Sequence, residues 1–456
     1  MLYNSIDLMA TVFRPRTLVL FVGDILFFVA ALFVTLFLRT GELPTEEIFM
    51  LHLRPFAILF AVWVVVFFIA GLYESRSIIL ARRALSSTLL VAQTFNVVIA
   101  AVFFYLPLFA IAPKTILFIY LFVSFLLILF WRAVLFPRLG IQKPEPALVV
   151  GGRAEVLELA EALAHAPMAP ARIAEIIKPG SSPLKARVEE ALHKHQARFI
   201  IADFGDKEVS SAFPEMYNLL SEGVRFFDAL VLYEEVFGRI PLSILNDQWF
   251  ARNMSRSAHV LYDSVKRLMD IMIALPAALL SLVFYPFIIL AIKLNDGGPA
   301  IISMPRVGES GHVFNFYKFR SMSGNDKGIY GQDGNSKLHV TRVGKFLRIS
   351  RLDEIPQLWN LLRGDLSCVG PRPEVPTLVR LYEKEIPYYG VRHLIKPGLS
   401  GWAQLYHDNH PHHGSDVGAT REKLSYDLYY LKHRSLTLDL VIILKTIKKL
   451  LTRSGV

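Results

Sequence analysis

One cysteine, Cys368, stands among 456 residues. No intrachain disulfide framework can therefore staple any part of the fold, and the regions outside a membrane suit a reducing compartment. Charge is scarce too. Asp, Glu, Lys and Arg make up only 19% of the chain, 49 basic against 39 acidic residues for a net charge of +10, where a soluble domain of ordinary composition carries about 25%. No basic-aromatic array of the kind that tracks a polynucleotide is present, which argues against nucleic acid as the partner of that charge. The G-x-G-x-x-G spacing of a dinucleotide fingerprint is missing as well. What the chain has in excess is apolar residues, 53% of the total and gathered into runs, which points to a membrane protein with room for about three domains.

Four apolar runs cover residues 17–38, 55–72, 89–110 and 115–135, each near the length a helix needs to cross a bilayer. The first is too long for the h-region of a cleavable signal peptide. Arg14 and Arg16 precede it, Arg76, Arg82 and Arg83 separate the second from the third, and Arg132, Arg138 and Lys143 accompany the end of the fourth. The other two connections carry Glu42, Glu46 and Glu47, or Lys114 alone. The positive-inside rule then places both ends of a four-helix bundle, residues 1–143, on the cytoplasmic side. Asp24 is costly against lipid and is expected to face a neighbouring helix.

After Pro144 and Pro146 the composition becomes that of a soluble domain. Residues 147–150, 198–203 and 224–232 read as strands and 154–163 as a helix, so residues 144–257 are expected to form a Rossmann-like α/β domain with a small parallel sheet. A strand, a glycine turn and a helix can receive a phosphate. Without the fingerprint spacing, Gly151-Gly152-Arg153 is better read as structural or dimer-forming than as a nucleotide or redox-cofactor site.

The third region, residues 258–456, opens with Lys266-Arg267 and an apolar run over 268–292 that Pro276 and Pro286 interrupt, closed by Lys293. Its 25 residues would span a bilayer if straight, at about 1.5 Å each. Basic flanks at both ends and the amide that Pro286 lacks favour instead a broken, re-entrant element over 266–293 that enters and leaves on one face; a fifth spanning helix is the alternative. Residues 325–337 read as a polar loop. Leu440, Ile443, Leu444, Ile447, Leu450 and Leu451 recur at helical spacing beside Lys445, Lys448, Lys449 and Arg453, which gives a basic amphipathic helix for either the membrane interface or the domain surface.

Chemistry concentrates in SRLDEIPQLWNLLRGDLSCVGPRPE, residues 350–374. Asp353 and Glu354 are adjacent acids, followed by Arg363, Asp365 and Pro371-Arg372-Pro373. A carboxylate nucleophile, a second carboxylate for a divalent cation and arginines for phosphate oxygens suit phosphoryl transfer. Equally, Asp353 is placed to cap a helix that ends at Arg363 and Gly364.

Lys266-Arg267 with Asp270, the YKFRSM run, the 350–374 stretch, KPGLSGWAQL and YDLYY together resemble the bacterial sugar transferases called large monotopic phosphoglycosyl transferases. The preceding bundle and α/β domain look like the long members of that family, which initiate exopolysaccharide, capsule or O-antigen synthesis. The resemblance implies a mainly helical monotopic catalytic domain on the cytoplasmic face of the bacterial inner membrane, acting as a homodimer with membrane lipid, a UDP-sugar and undecaprenyl phosphate. It implies transfer of a hexose 1-phosphate with release of UMP, Asp353 as the nucleophile that forms an aspartyl phosphosugar, and Glu354 as a ligand of Mg²⁺. Lys318, Arg320, Arg363, Arg372 and Asp427 fall on family blocks as phosphate or nucleotide candidates, and Lys266, Arg267, Asp270 and Pro286 on the re-entrant block.

Two departures stand out. Tyr285 replaces the serine common before the break proline, and the stretch after Trp402 reads YHDNHPHHGSD, whose His407, His410, His412 and His413 suit a solvated loop better than a metal site. A membrane sensor or export scaffold carrying a degenerate transferase domain is the non-enzymatic alternative, and it has no reason to keep the Asp-Glu pair.

Overall fold

The computed structural model describes residues 5–69, 72–73, 114–139, 145–165, 171–180, 183–254, 260–323, 339–406 and 416–451, with the single positions 89, 92, 96 and 100. The chain divides into two compact units, Met1–Phe237 and Gly238–Val456.

In the first unit the apolar runs form helices α1 (Ser5–Thr40), α2 (Glu46–Ile69) and α3 (Lys114–Phe130). Windows over Leu18–Thr40, Glu46–Phe68 and Ile116–Leu135 are long and apolar enough to cross a membrane. The run expected over 89–110 lies outside the described residues except at Leu89, Ala92, Asn96 and Ala100, which are helical and buried. Phe28, Phe56, Trp63, Phe67 and Tyr120 fill the bundle interior, while Phe118 and Phe122 point outward at 74% and 67% exposure, as a lipid-facing surface requires. Asp24 does face a neighbour. Arg132, in the single π-helical turn Trp131–Leu135 that ends α3, donates from Nε to Asp24 Oδ1 at 3.0 Å, and Tyr73 donates to Oδ2 at 2.6 Å. Pairing of this kind makes a buried charge tolerable. Gly23 permits it, because a Cβ there would sit 2.0 Å from the Trp131 ring.

The α/β part of this unit has four parallel strands, β1 (Glu145–Val150), β2 (Ala171–Ile177), β3 (Phe199–Ala202) and β4 (Arg225–Asp228), in the order β2-β1-β3-β4. Strand β2 was not legible in the sequence: it is an edge strand, largely half-buried, without a strong apolar alternation. The strand expected over 224–232 is corrected to a short strand and a helix. Asp228 Oδ1 accepts the Leu230 and Val231 N–H groups at 2.8 and 3.3 Å and so starts the helix Ala229–Phe237. Between β1 and β3, where the strand order reverses, Arg153 Nε lies 3.1 Å from the fully buried Asp203.

The second unit begins with the segment 240–254, anchored where the Ile240 N–H donates to the Ser425 carbonyl at 3.0 Å. Helices α4 (Val260–Ser281) and α5 (Tyr285–Asp296) follow, bent by 58° at residues 282–284. Pro276 is accommodated within α4, whereas Pro286 sits in the first turn of α5, where a missing amide costs little. The Leu282 carbonyl that Pro286 cannot serve accepts the Tyr285 N–H at 3.3 Å, and the Tyr285 hydroxyl accepts from Trp359 Nε1 at 3.0 Å. Leu279, Leu280, Val283, Phe284, Phe287 and Leu290 are exposed around the bend.

Beyond it lie the antiparallel hairpin β5 (Ile301–Val307) and β6 (Val313–Phe319), helix α6 (Gln357–Arg363), and a parallel strand pair, Ser367–Val369 with Gly398–Ser400. Helices α7 (Val417–His433) and α8 (Leu436–Leu451) complete the unit. Helix α8 packs on its own domain: Ile442 is buried, Lys445 bonds the Tyr406 hydroxyl and Lys449 Nζ donates to the Gln404 carbonyl at 3.1 Å. Leu440 and Ile447 remain exposed. The loop 325–337 and the histidines 407–413 lie outside the described residues.

Candidate active site

The acidic pair is presented by a reversal of the chain. Helix Arg342–Ile349 ends at Ser350, Arg351 takes a left-handed conformation (φ 58°), and a 3-10 turn, Leu352–Glu354, follows. Leu352 and Ile355, on either side of the acids, pack on a cluster of Ile288 and Ile292 from α5 with Phe319 and Leu347. Helix α5 thus supports the turn directly. Asp353 caps nothing, because α6 starts after Pro356 without a side-chain cap. Its carboxylate is buried, and Oδ1 has no hydrogen-bond partner among the described residues. Burial pushes the Asp353 carboxyl up, against the pull of Lys318 and with a smaller push from Glu354.

Glu354 is the opposite case. Its Oε1 accepts from Lys318 Nζ at 3.3 Å and from Arg372 Nη2 at 3.5 Å. Burial would raise its carboxyl, but Arg372, Lys318 and Arg351 outweigh that and hold it at about 2. Lys318 is itself pushed down by burial, with Glu354 opposing. Strand β6 places Lys318 here, and Phe316, two residues earlier on the same face, has Lys318 Nζ and the Arg306 guanidinium 5.7 and 5.6 Å from its ring centre.

Besides its side-chain contact with Glu354, Arg372 is held through its backbone. Two prolines deprive its segment of amides, and the four carbonyls are taken instead: Pro371 by the Gly398 N–H (3.0 Å), Arg372 by Arg392 Nη2 (3.0 Å), Pro373 by Arg306 Nη1 (3.2 Å) and Glu374 by the Val307 N–H (2.9 Å). Arg392 pairs with Asp427 at 2.8 Å, both fully buried within the domain, so Asp427 reaches the cluster through Arg392 and caps no helix. Glu374 bonds Lys423; burial would raise its carboxyl, yet Lys423 and Arg392 hold it at about 2.

Asp353, Glu354, Lys318 and Arg372 therefore converge, with Asp427 one contact away. The remaining candidates have other neighbours. Arg320 Nε donates to Asp296 at 2.8 Å, tying the end of α5 to the hairpin, and Arg363 donates to the Tyr317 hydroxyl at 3.1 Å. Lys266 pairs with the buried Asp439 at 2.7 Å. Arg267 donates to the Leu361 and Leu362 carbonyls, both at 2.7 Å, at the C-terminus of α6, which Gly364 closes with φ 92°. Asp270 accepts the Cys368 N–H at 2.9 Å, and burial together with that carboxylate pushes the thiol up to about 12. Arg306, Gln357, Glu374, Arg392 and Lys423 were not singled out by sequence reasoning. Gln357 and Glu374 lie inside the 350–374 stretch, whereas Arg306, Arg392 and Lys423 fall outside the blocks, and ion pairs between residues so distant in the chain leave no periodicity.

For a divalent cation the acidic pair offers hard oxygen donors: Asp353 Oδ1 is unpartnered, and both cationic contacts of Glu354 fall on Oε1, leaving Oε2. Among the described residues no three His, Cys, Asp or Glu side chains gather. That donor set fits Mg²⁺, which takes one or two carboxylates and completes its shell with water and substrate phosphate.

Residues 261–453 match the family described as bacterial sugar transferase. The chain is 39% identical over 200 residues, 42% of its own length and 72% of the relative's, to the UDP-glucose:undecaprenyl-phosphate glucose-1-phosphate transferase of Caulobacter vibrioides. It belongs to the bacterial sugar transferase family. This sugar transferase is also 40% identical over 229 residues to the UDP-N-acetylgalactosamine-undecaprenyl-phosphate N-acetylgalactosaminephosphotransferase of Aeromonas hydrophila, covering 49% of the chain and 51% of that protein. With the UDP-glucose:undecaprenyl-phosphate glucose-1-phosphate transferase of Escherichia coli it shares 38% over 188 residues, 41% of the chain and 40% of the relative. The chain thus spans about half or less of the length of these two relatives.

Proposed function

We propose that this protein transfers a hexose 1-phosphate from a UDP-sugar to undecaprenyl phosphate, releasing UMP, through a covalent intermediate on Asp353. The observation that carries the reading is a buried Asp353 carboxylate with one oxygen unpartnered, beside a Glu354 held between Lys318 and Arg372. The names of the relatives supply the substrate classes.

In the first step an Asp353 carboxylate oxygen attacks the sugar-proximal phosphorus of the UDP-sugar. The bond from that phosphorus to the bridging oxygen breaks, and the oxygen leaves with UMP. In the second, an oxygen of the lipid phosphate attacks the same phosphorus; the acyl phosphate bond breaks, the Asp353 carboxylate is regenerated and a polyprenyl diphosphate-linked sugar departs. Burial strengthens Asp353 as a nucleophile by stripping its hydration, while Lys318 favours the ionised form. Arg372 and Lys318 supply positive charge beside the reacting phosphates. Mg²⁺ held by Glu354, with Asp353 close by, would offset the diphosphate charge that otherwise repels an incoming carboxylate.

The reading includes a bundle of four spanning helices in the bacterial inner membrane, a catalytic domain on the cytoplasmic face, a homodimeric assembly and a bent α4–α5 pair that enters and leaves on that face. Exposed apolar side chains around the bend and the basic residues Lys266 and Lys293 at its two ends support the last point. UMP release by the purified protein with undecaprenyl phosphate, measured over a panel of UDP-hexoses, tests the reaction and names the sugar; no UMP with any of them would refute it. For the topology, cysteines introduced at Lys266 and Lys293 in a Cys368→Ser background should both resist a periplasmic thiol reagent. Labelling at Lys293 alone would make the segment a spanning one.

A further inference from the structure

Two buried polar atoms near the acidic turn have no hydrogen-bond partner among the described residues: Asp353 Oδ1 and Gln357 Nε2. Their side chains are four positions apart. Ile355 and Pro356, between them, have right-handed helical dihedrals, so both side chains leave the backbone on one side, as i and i+4 do on a helix. Gln357 is only 2% exposed. An amide donor left unmade in the interior costs as much as a lost hydrogen bond, and native proteins rarely leave one without a use. The two orphans are chemically complementary to a phosphoryl group rather than alike: a carboxylate oxygen repels phosphate oxygens and attacks phosphorus, whereas an amide N–H attracts those oxygens.

We propose that Gln357 is a catalytic residue of the transfer, its carboxamide N–H donating to a non-bridging oxygen of the phosphoryl group that Asp353 attacks. Negative charge on that oxygen is redistributed as the Asp353–phosphorus bond forms and the bond to UMP breaks. A donor fixed beforehand in a water-poor site stabilises that change without reorganising. Lys318 and Arg372 supply charge from the Glu354 side, and Gln357 adds a neutral, directional contact from the α6 side. The inference rests on the covalent reading above and extends it to a residue outside the charged cluster.

The test is a single turnover of the purified full chain with the UDP-hexose that the panel identifies, without lipid acceptor, following UMP and the protein-bound sugar phosphate. Wild type comes first: no UMP and no adduct would overturn the covalent reading, and this proposal with it. Given a wild-type burst, Gln357→Met, similar in shape but without a donor, should slow adduct formation about 10²-fold. It should leave the concentration of UDP-sugar at half-maximal rate within about threefold and should not lower the melting temperature, since it removes an unsatisfied amide. Gln357→Glu gives a second reading. Its carboxylate should be at least as slow at neutral pH, and its burst rate relative to wild type should recover as the pH falls and the acid becomes a donor again. A folded Gln357→Met protein that forms adduct at the wild-type rate would overturn the proposal while leaving the covalent reading intact. So would a slowed Gln357→Met accompanied by a Gln357→Glu that shows no relative recovery at low pH.

Discussion

Replacing Glu354 by glutamine removes a negative charge on which Lys318 and Arg372 both bear, at 3.3 and 3.5 Å. The carboxyl lies at about 2 instead of its ordinary 4.5, and at about 1.4 kcal/mol for each tenfold change this depression is worth about 3 kcal/mol. An amide oxygen keeps part of the hydrogen bonding, so the expected loss is about 1–3 kcal/mol. For a domain of this size each kcal/mol lowers the melting temperature by about 2–4 °C. The apparent melting temperature of Glu354→Gln in detergent or nanodiscs should therefore fall by about 3–10 °C at pH 7, followed by tryptophan fluorescence. The sign with pH is fixed by linkage. A depressed folded-state value means that the stabilisation is present above pH 4.5 and disappears as pH falls from 4.5 toward 2. The gap between wild type and variant should thus narrow between pH 6 and pH 3. Melting at the wild-type temperature throughout, or a gap of constant size, would refute the assignment of Glu354 as the anchor of both cations.

Asp353→Asn should behave oppositely in stability. Because burial raises the wild-type carboxyl above its ordinary 3.8, ionisation costs folding energy as pH rises; the variant should melt at or about 1–3 °C above wild type at pH 7, with the difference closing below pH 4. Arg267→Met removes two charge-assisted bonds to the last carbonyls of α6 and should lower stability by about 2–4 kcal/mol, read by denaturant or thermal melts. In the bundle, Arg132→Met alone should cost about 3–5 kcal/mol by stranding Asp24, whereas Asp24→Leu combined with Arg132→Met should recover most of it, measured by thermal melting in nanodiscs.

The sequence exposed those parts of the molecule whose cause is local. Apolar runs announced three described helices long enough to cross a membrane, Pro286 announced the break between α4 and α5, and Gly364 announced the end of α6. Strand β2 escaped because an edge strand need not alternate strongly, and 224–232 was read as one strand because the capping role of Asp228 depends on where its side chain turns. In the site, adjacency along the chain made Asp353 and Glu354 conspicuous. The neighbours that tune them come from β6, from the proline-rigidified segment around Arg372 and, through Arg392, from α7, between 18 and 36 residues away or farther. Only folding shows that Arg320, Arg363, Lys266 and Arg267 bond elsewhere, or that the backbone around Arg372 is held through its carbonyls by Arg306 and Arg392.

The covalent step is the centre of the account, and intact and peptide mass spectrometry tests it most directly. Wild-type protein incubated with its UDP-sugar and Mg²⁺, without lipid acceptor, should release UMP and gain one hexose phosphate on the peptide that contains Asp353; adding undecaprenyl phosphate should discharge it. Asp353→Asn, folded by its melt, should show no adduct and no turnover, since a neutral amide cannot readily form the acyl phosphate. Near-normal turnover by that variant, or an adduct on another residue, would contradict the mechanism.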